Sequence, residues 1–263
     1  MEKNRPALTV LRVLAAFAAW FAIYKCYGFF VDPLLEDVLP EIIRMVLSRM
    51  IVPYTLGIGA SYLILKGMPS GKDSLGNAPV SAGLIAKGFG VQMGYSMPLI
   101  VIVNIFCIIL GCGGSGITAD QIFGKYALFY LILLIGFAPV VEELVFRKLF
   151  LDKLLAIGIT PAIVISAMIF GLPHVISQGV PQMFGTFAIG LVWAYLRAKT
   201  GKLWPSMILH ALFNLYGSYF TLTAVSLPFG TPLVMLLNII IFPTLAVIFT
   251  IKEFSKKHVT AVA

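Results

Sequence analysis

The sequence contains very little charge. Only 11% of its 263 residues are Asp, Glu, Lys or Arg, whereas 60% are hydrophobic and the mean hydropathy is +0.99. Soluble domains carry roughly 25% charged residues, so this composition excludes an ordinary soluble domain and indicates a membrane protein. The net charge of +8 does not indicate nucleic-acid binding, because the Lys and Arg residues lie at the ends of apolar runs, where they orient membrane spans.

Cysteines are also scarce, and several other features are missing. Cys26, Cys107 and Cys112 follow no metal-binding spacing and do not imply a disulfide framework. No small-residue cleavage site follows the first apolar run, so we interpret that run as a retained span rather than a signal peptide. We find no internal repeat and no low-complexity tail. The simplest interpretation is a single integral membrane domain over residues 1–263.

Long apolar runs dominate the chain. Eight of them are long enough, or nearly so, to cross ~30 Å of hydrocarbon as helices. They cover residues 8–30, 45–65, 91–111, 122–145, 159–176, 182–196, 203–222 and 232–251. We therefore predict an all-α polytopic membrane protein with about eight transmembrane helices. Lys and Arg concentrate in alternate connections, which predicts that both termini are cytoplasmic.

Among the few ionisable or amide side chains in and beside these runs, a set of six falls in three short segments. Burying such a group in a bilayer costs about 2.5–3.5 kcal/mol on insertion scales, so these residues are expected to face a cavity or a partner. They are Glu142, Glu143 and Arg147 in the first segment, His174 in the second, and His210 and Asn214 in the third.

The spacing within the segments predicts different partners for the two glutamates. Glu143 and Arg147 are one helical turn apart and are expected to form an ion pair. Glu142 is rotated by about 100° from Glu143, so it is free to face another group. His210 and Asn214 share one helix face in the same way, which would let both reach one reacting atom.

The fourth and fifth runs are expected to form an antiparallel hairpin that turns near Gly158. Glu142 and His174 are equally distant from this turn along the chain, which predicts that they lie at the same depth. His210 lies closer to the cytoplasmic end of its run, so the depths agree only if the hairpin projects into the headgroup layer. Pro173 lacks an N–H, which is expected to loosen the helix and leave room for water beside His174.

Together, the three segments resemble a known family signature. Glu142-Glu143-x-x-x-Arg147, Phe170-x-x-x-His174 and His210-x-x-x-Asn214 occur in the order seen in the CAAX prenyl endopeptidase and bacteriocin-processing (CPBP, or Abi) intramembrane proteases. The resemblance covers residues 122–222, which would form the catalytic helical core. Lys148, in place of a common glycine, and Pro173 depart from the pattern without touching a signature position.

The resemblance implies an eight-helix membrane endopeptidase with a water-filled cavity open to the cytoplasmic side. The catalytic residues would be Glu142 as general base, His174 as its partner in activating water, and His210 and Asn214 as donors to the tetrahedral oxyanion. The supporting residues would be Glu143, Arg147 and Phe170. By analogy with short family members, the chain would reside in a prokaryotic cell membrane.

The sequence allows two interpretations of the cofactor, a catalytic zinc ion or no metal. Two histidines and a glutamate could bind catalytic zinc, with Glu142, His174 and His210 as the ligands. No His-Glu-x-x-His motif is present, however, and Glu143 would be the only carboxylate left over, already committed to Arg147. We therefore favour water activated by Glu142 and His174 without a metal.

The function also has alternatives. For an endopeptidase, the substrate would be a peptide or protein that is lipidated or simply hydrophobic. The reaction would serve the maturation of C-terminal tails, the maturation of peptides, or bacteriocin immunity. A proton-coupled transporter could use the same ionisable residues, but it predicts related halves or paired interrupted helices, which we do not find. A non-catalytic scaffold or immunity protein could use the same fold to bind a partner.

Overall fold

A computed structural model describes residues 6–111 and 116–262, with side chains up to residue 253. The described residues are helices and turns, with no β-strand among them, which confirms the predicted all-α class. Cys112, which we expected to play no metal or disulfide role, lies outside the described residues.

Within residues 6–111 and 116–262, eight long helices correspond in order to the eight apolar runs. They are α1 (Pro6–Leu35), α2 (Glu41–Leu65), α3 (Ala82–Ile109), α4 (Ala127–Ile157), α5 (Ile159–Ser177), α6 (Val180–Thr200), α7 (204–225) and α8 (Gly230–Glu253, helical to Val262). A short helix, Ala119–Phe123, precedes α4 and starts with a capping box between Thr118 and Gln121.

Six of the described helices, α1 to α5 and α8, are long and apolar enough to cross a membrane. The protein is therefore an integral membrane protein. Helices α6 and α7 are less apolar, although α6 has 21 residues. Arg197 and Lys199 lower the apolarity of α6, and His210 and Asn214 lower that of α7. Polar residues are tolerated in a membrane helix where they face the protein interior rather than the lipid.

The distribution of side chains is that of a membrane protein. Large apolar residues such as Leu11, Ile108 and Ile240 are more than half exposed, whereas Gln92 and Glu143 are completely buried. Lipid can cover exposed apolar side chains, but it offers no hydrogen bonds to polar ones. The polar residues are therefore collected between the helices.

Small residues allow the helices to approach each other closely. A Cβ on Gly57 of α2 would lie 2.7 Å from the indole of Trp20 on α1. A Cβ on Gly94 of α3 would overlap the carbonyl of Phe242 on α8. Without a hydrophobic driving force between helices in lipid, such backbone proximity supplies the packing contacts.

The connections predicted to be cytoplasmic assemble at one end of the bundle. Gly71 donates a backbone hydrogen bond to Asp152 (2.8 Å), and Gly76 donates one to Ala198 (2.7 Å). The Asp152 carboxylate forms an ion pair with Arg197 at 3.0 Å. We call this end, formed by residues 66–78, 152–158 and 197–202, the basic end; which side of the membrane it faces remains a prediction.

The other end of the bundle, which we call the opposite end, holds the acidic residues of the first connection. Arg44 lies 3.5 Å from Asp32 and 3.7 Å from Glu36. Tyr126 donates a hydrogen bond of 2.6 Å to Glu41, and Lys125 lies 3.9 Å from the same carboxylate. These contacts connect α1, α2 and the residues directly before α4.

The hairpin of α4 and α5 turns at Gly158, as the sequence predicts. Gly158 has φ = 113°, a backbone conformation that favours glycine, and α5 begins at the next residue. Asp152 lies level with Arg197 near the end of α6, and α4 continues for five more residues to Ile157, which is about 7.5 Å at ~1.5 Å per residue. This projection places the predicted site residues of α4 and α5 near those of α7.

Candidate active site

A cavity of about 490 Å³ lies between α1, α2, α4 and α5. This volume is within the ~300–1,000 Å³ typical of small-ligand pockets. Glu142, Phe170 and His174 line it, together with Tyr54 from α2. A second cavity, beside Trp204, is lined mostly by apolar residues and has no ionisable residue among those that line it. The first cavity, which we call the Glu142 cavity, is therefore the candidate site.

The Glu142 cavity extends toward the opposite end of the bundle. Gln121 and Gln178, from connections at that end, belong to its lining, and none of its described lining residues comes from the basic end. The sequence signature and the charge distribution predict a cavity open to the cytoplasm and cytoplasmic termini. The N-terminus of α1 is at the basic end, where Arg12 donates a hydrogen bond of 2.6 Å to Ile64. The cavity therefore lies toward the end of the bundle away from the N-terminus of α1, and which of the two ends is cytoplasmic remains a prediction.

Glu142 is the carboxylate that reaches the cavity. Its side chain is 20% exposed, whereas that of Glu143 is completely buried. Tyr54 donates a hydrogen bond of 3.2 Å to Oε1 of Glu142. The Nε2 atom of His210 lies 3.8 Å from Oε2, which is too long for a hydrogen bond. Glu142 is thus held from one side and remains accessible from the cavity.

Glu143 and Arg147 form the ion pair that their spacing predicts. Nε of Arg147 lies 3.3 Å from Oε2 of Glu143, and both side chains are completely buried. Arg147 also donates a hydrogen bond of 2.8 Å to Ser166 on α5, and its guanidinium lies 4.9 Å from the ring centre of Phe170. The pair therefore connects α4 to α5 behind the cavity wall.

His174 lines the cavity with its ring orientation fixed by the backbone. Its Nδ1 atom lies 3.1 Å from the carbonyl oxygen of Phe170. A carbonyl can only accept, so Nδ1 carries the hydrogen, and a neutral imidazole then has Nε2 as an acceptor. Helix α5 continues through Pro173 to Ser177. His174 is thus suited to accept a hydrogen from water in the cavity.

His210 lies between the two glutamates. Its Nδ1 atom is 3.7 Å from Oε1 of Glu143, and its ring stacks on Trp193 with the centroids 4.4 Å apart. Trp193 in turn donates a hydrogen bond of 2.7 Å to Gln92 on α3. The imidazole is therefore positioned by α3 and α6 as well as by its own helix. It is 96% buried and does not belong to the cavity lining.

Asn214 lies one turn after His210 on α7, but its amide is used elsewhere in this structure. Its Nδ2 atom donates a hydrogen bond of 2.8 Å to the carbonyl of Leu134 on α4. The structure therefore gathers the other predicted site residues into one connected group and places Asn214 at its edge. The catalytic and supporting roles of all these residues remain predictions.

The sequence interpretation missed several residues that hold the site. Tyr54, Gln92, Ser166 and Trp193 all contact a predicted site residue or its neighbour. Gln92 had a detectable signal, because an amide in the middle of an apolar run needs a polar partner. The other three are common in membrane helices, so only the packing shows their contacts.

The described residues do not form a metal site. No group of three or more His, Cys, Asp or Glu side chains among them could hold a metal ion. His210 directs one nitrogen toward Glu143 and is separated from the cavity that His174 lines. The alternative zinc set of Glu142, His174 and His210 is therefore not gathered into one ligand group in this arrangement, and activation of water without a metal remains a prediction.

Comparison with known proteins agrees with the sequence signature. Residues 124–216 match the family model of the Rce1-like proteins, described as type II CAAX prenyl endopeptidases. This region is about a third of the chain and contains all three polar segments. The match confirms the resemblance to CAAX proteases. Neither the curated proteins nor the solved structures include a significant match to this chain.

Proposed function

Because residues 124–216 carry a CAAX-protease region and Glu142 lies in the wall of a large cavity, we propose that the protein is an intramembrane endopeptidase. It would hydrolyse a peptide bond with a water molecule activated by Glu142 and His174. The observation that carries this proposal is the separation of two adjacent glutamates, one accessible from a cavity and one committed to a buried arginine.

In the first step, Glu142 accepts a proton from water while the water oxygen attacks the carbonyl carbon of the peptide. Tyr54 holds Oε1, which leaves the other carboxylate oxygen to act as the base. The acceptor nitrogen of His174 binds the second hydrogen of the same water and orients it. The protonated Glu142 then supplies its proton to the departing amine.

The tetrahedral intermediate needs donors for its negative oxygen. The resemblance assigns this role to His210 and Asn214, and preorganised donors of this kind typically contribute about 10²–10³ in turnover. In this structure, the Asn214 amide would have to release the carbonyl of Leu134, and His210, which does not line the cavity, would have to gain access to it, before the two could take part. We propose that substrate binding in the Glu142 cavity causes this rearrangement.

Tyr54→Phe is expected to reduce turnover by about 10- to 150-fold with little change in KM, because the variant loses one hydrogen bond to a charged group, worth about 1.5–3 kcal/mol. Cleavage of a defined peptide by the purified variant measures both constants. Tyr24→Phe is the matched control, since Tyr24 lines the same cavity and no hydrogen bond joins it to Glu142. Equal losses in both variants would contradict a specific role for Tyr54.

Chelation is expected to leave activity unchanged, because the site residues do not form a three-ligand group. The measurement is peptide cleavage after dialysis against a strong chelator, with elemental analysis of the same sample. Activity that disappears on dialysis and returns with added zinc would show that the site rearranges around a metal.

The proposed substrate is a hydrophobic peptide or protein, with or without a lipid. Its cleavage would serve the maturation of C-terminal tails, the maturation of peptides, or bacteriocin immunity. Capture of bound peptides by the Glu142→Gln protein, followed by mass spectrometry, would identify it. A protection phenotype that survives Glu142→Gln in cells would instead favour a non-catalytic immunity role.

A further inference from the structure

The second cavity, which we call the Trp204 groove, lies between the first turns of α3 and α7. Its volume is about 570 Å³. The lining consists of Ala82, Ile85, Ala86 and Phe89 of α3, Trp204 and Leu212 of α7, and the two residues before α3. The four α3 residues follow the i, i+3, i+4, i+7 spacing of one helix face. The Trp204 groove shares no lining residue with the Glu142 cavity, so it is a separate feature of the bundle.

The Trp204 groove is open at the surface of the bundle. Ala82 and Ala86 are exposed, and Trp204 is 43% exposed. The groove runs from the basic end, where both helices begin, to Phe89 on α3 and Leu212 on α7. These positions lie seven and eight residues into the helices, about 10–12 Å at ~1.5 Å per residue. The groove therefore covers about a third of the ~30 Å hydrocarbon thickness, next to the headgroup layer.

The two segments that form the groove carry positive charge only. Residues 77–92 and 200–213, all of which the structure describes, contain the cations Lys87 and Lys202 and no Asp or Glu. Lys202 is exposed and lies two residues before Trp204. Lys87 is also exposed, and its side chain leans toward the start of α3 because the Cα–Cβ bonds of a helix tilt toward its N-terminus. Both lysines are thus placed to reach the headgroup layer at the mouth of the groove.

Other cations of the basic end have acidic partners. Arg197 pairs with Asp152 at 3.0 Å, and Lys199 pairs with Glu253. Among the described residues, neither lysine of the groove segments forms an ion pair. An anion that is carried by an apolar ligand would therefore complement both the charge and the lining of the groove.

We propose that the Trp204 groove binds one acyl chain of an anionic phospholipid, whose headgroup is held by Lys87 and Lys202. Basic residues between membrane helices are a known means of binding anionic headgroups. A protein segment in the same place would bring backbone N–H and C=O groups to an apolar lining that cannot satisfy them, whereas an acyl chain brings none. The only polar side chain of the lining is that of Ser81, which already accepts a hydrogen bond of 3.1 Å from Leu84.

The helices that form the groove also position His210. A Cβ on Gly88 of α3 would lie 2.8 Å from the side chain of Leu209, and Gln92 donates a hydrogen bond of 2.9 Å to the carbonyl of the same residue. A lipid that contacts both α3 and α7 is expected to stabilise this packing, because a ligand that binds only the folded state raises its stability. The thermal unfolding temperature should therefore rise with anionic lipid.

Fluorescence quenching by brominated lipids tests the proposal directly. The protein has three tryptophans, and Trp20 and Trp193 are at most 5% exposed, so Trp204 is the one that lipid can reach. Wild-type protein is placed in phosphatidylcholine vesicles that contain increasing mole fractions of one lipid brominated near the carbonyl end of its chains. That lipid is either phosphatidylglycerol or phosphatidylcholine. The brominated phosphatidylglycerol is expected to saturate the quenching at a mole fraction about 25-fold lower, since each lysine near the surface contributes about fivefold to the binding of anionic lipid.

Four variants locate the preference. Lys87→Gln and Lys202→Gln should each reduce it by about fivefold. Ala86→Phe, at an exposed position of α3, fills the groove with both lysines intact and should also reduce it. Lys66→Gln is the matched control, because it removes an exposed cation of the basic end outside the groove segments, and it should keep the preference. Trp204→Phe should remove the saturable quenching itself, and thermal unfolding of each variant verifies that it is folded.

The alternatives give different results. Equal quenching by the two brominated lipids would show ordinary bilayer contact only and overturn the proposal. A preference that survives both lysine substitutions or Ala86→Phe would overturn it as well, because the anionic lipid would then bind elsewhere. Weak quenching of Trp204 by either lipid would show that protein, such as a second copy of this chain, covers the groove. None of these measurements involves cleavage, so their outcome is independent of the endopeptidase function.

Discussion

Glu142→Gln is expected to abolish peptide cleavage, with a loss of about 10²–10⁴-fold or more in turnover, because the amide cannot accept a proton from water. The fold should be preserved, since glutamine has the same shape and its carbonyl oxygen can still accept the hydrogen bond from Tyr54. The measurement is the cleavage rate of a defined hydrophobic peptide by the purified protein, with thermal unfolding recorded on the same sample.

A matched control separates this effect from a general loss of negative charge. Glu36 lies at the opposite end of the bundle with its side chain 68% exposed, and Glu36→Gln should cleave at the wild-type rate. Full activity in the Glu142→Gln protein would reject Glu142 as the base. Loss of activity together with a large fall in unfolding temperature would show that Glu142 is needed for stability instead.

Arg147→Met is expected to have the largest effect on stability. It leaves the Glu143 carboxylate completely buried without its cation, and breaking a buried pair in this way costs about 3–5 kcal/mol. The hydrogen bond to Ser166 and the contact with the Phe170 ring are lost as well. Unfolding of the purified protein in detergent, followed by circular dichroism, measures the change in the free energy of unfolding.

The double variant Glu143→Leu/Arg147→Met shows whether the cost arises from the unpaired charge. Removing both charges should restore most of the lost stability, because apolar side chains of similar volume can replace a buried pair. Lys125→Met, which breaks an exposed pair, should have little effect. An Arg147→Met protein as stable as the wild type would show that the pair does not stabilise the fold.

The sequence was sufficient to predict the helices and to select the side chains of the candidate site, whose roles remain predictions. Lipid requires long apolar segments that satisfy their own backbone hydrogen bonds, so the eight runs could be recognised from composition alone. The few ionisable residues inside those runs were visible for the same reason. Glu143 and Arg147 could be paired from their spacing because both lie on one helix.

Contacts between helices were harder to predict. Tyr54 was missed because a tyrosine in α2 gives no sign that it packs against Glu142, which lies 88 residues away in sequence. Asn214 shares a helix face with His210, yet its amide contacts the carbonyl of Leu134. Spacing within one helix defines a face, but the neighbouring helix decides what that face contacts. The end of the bundle that the cavity approaches could not be predicted for the same reason, since it depends on how four helices pack.

The structure of the Glu142→Gln protein with an uncleaved hydrophobic peptide tests the central claim most directly. We expect the peptide to lie in the Glu142 cavity, with one carbonyl carbon about 3–3.5 Å from a water molecule held by residue 142 and His174. A peptide bound outside this cavity, or a cavity in which no water lies between residue 142 and a peptide carbonyl, would contradict the hydrolytic function.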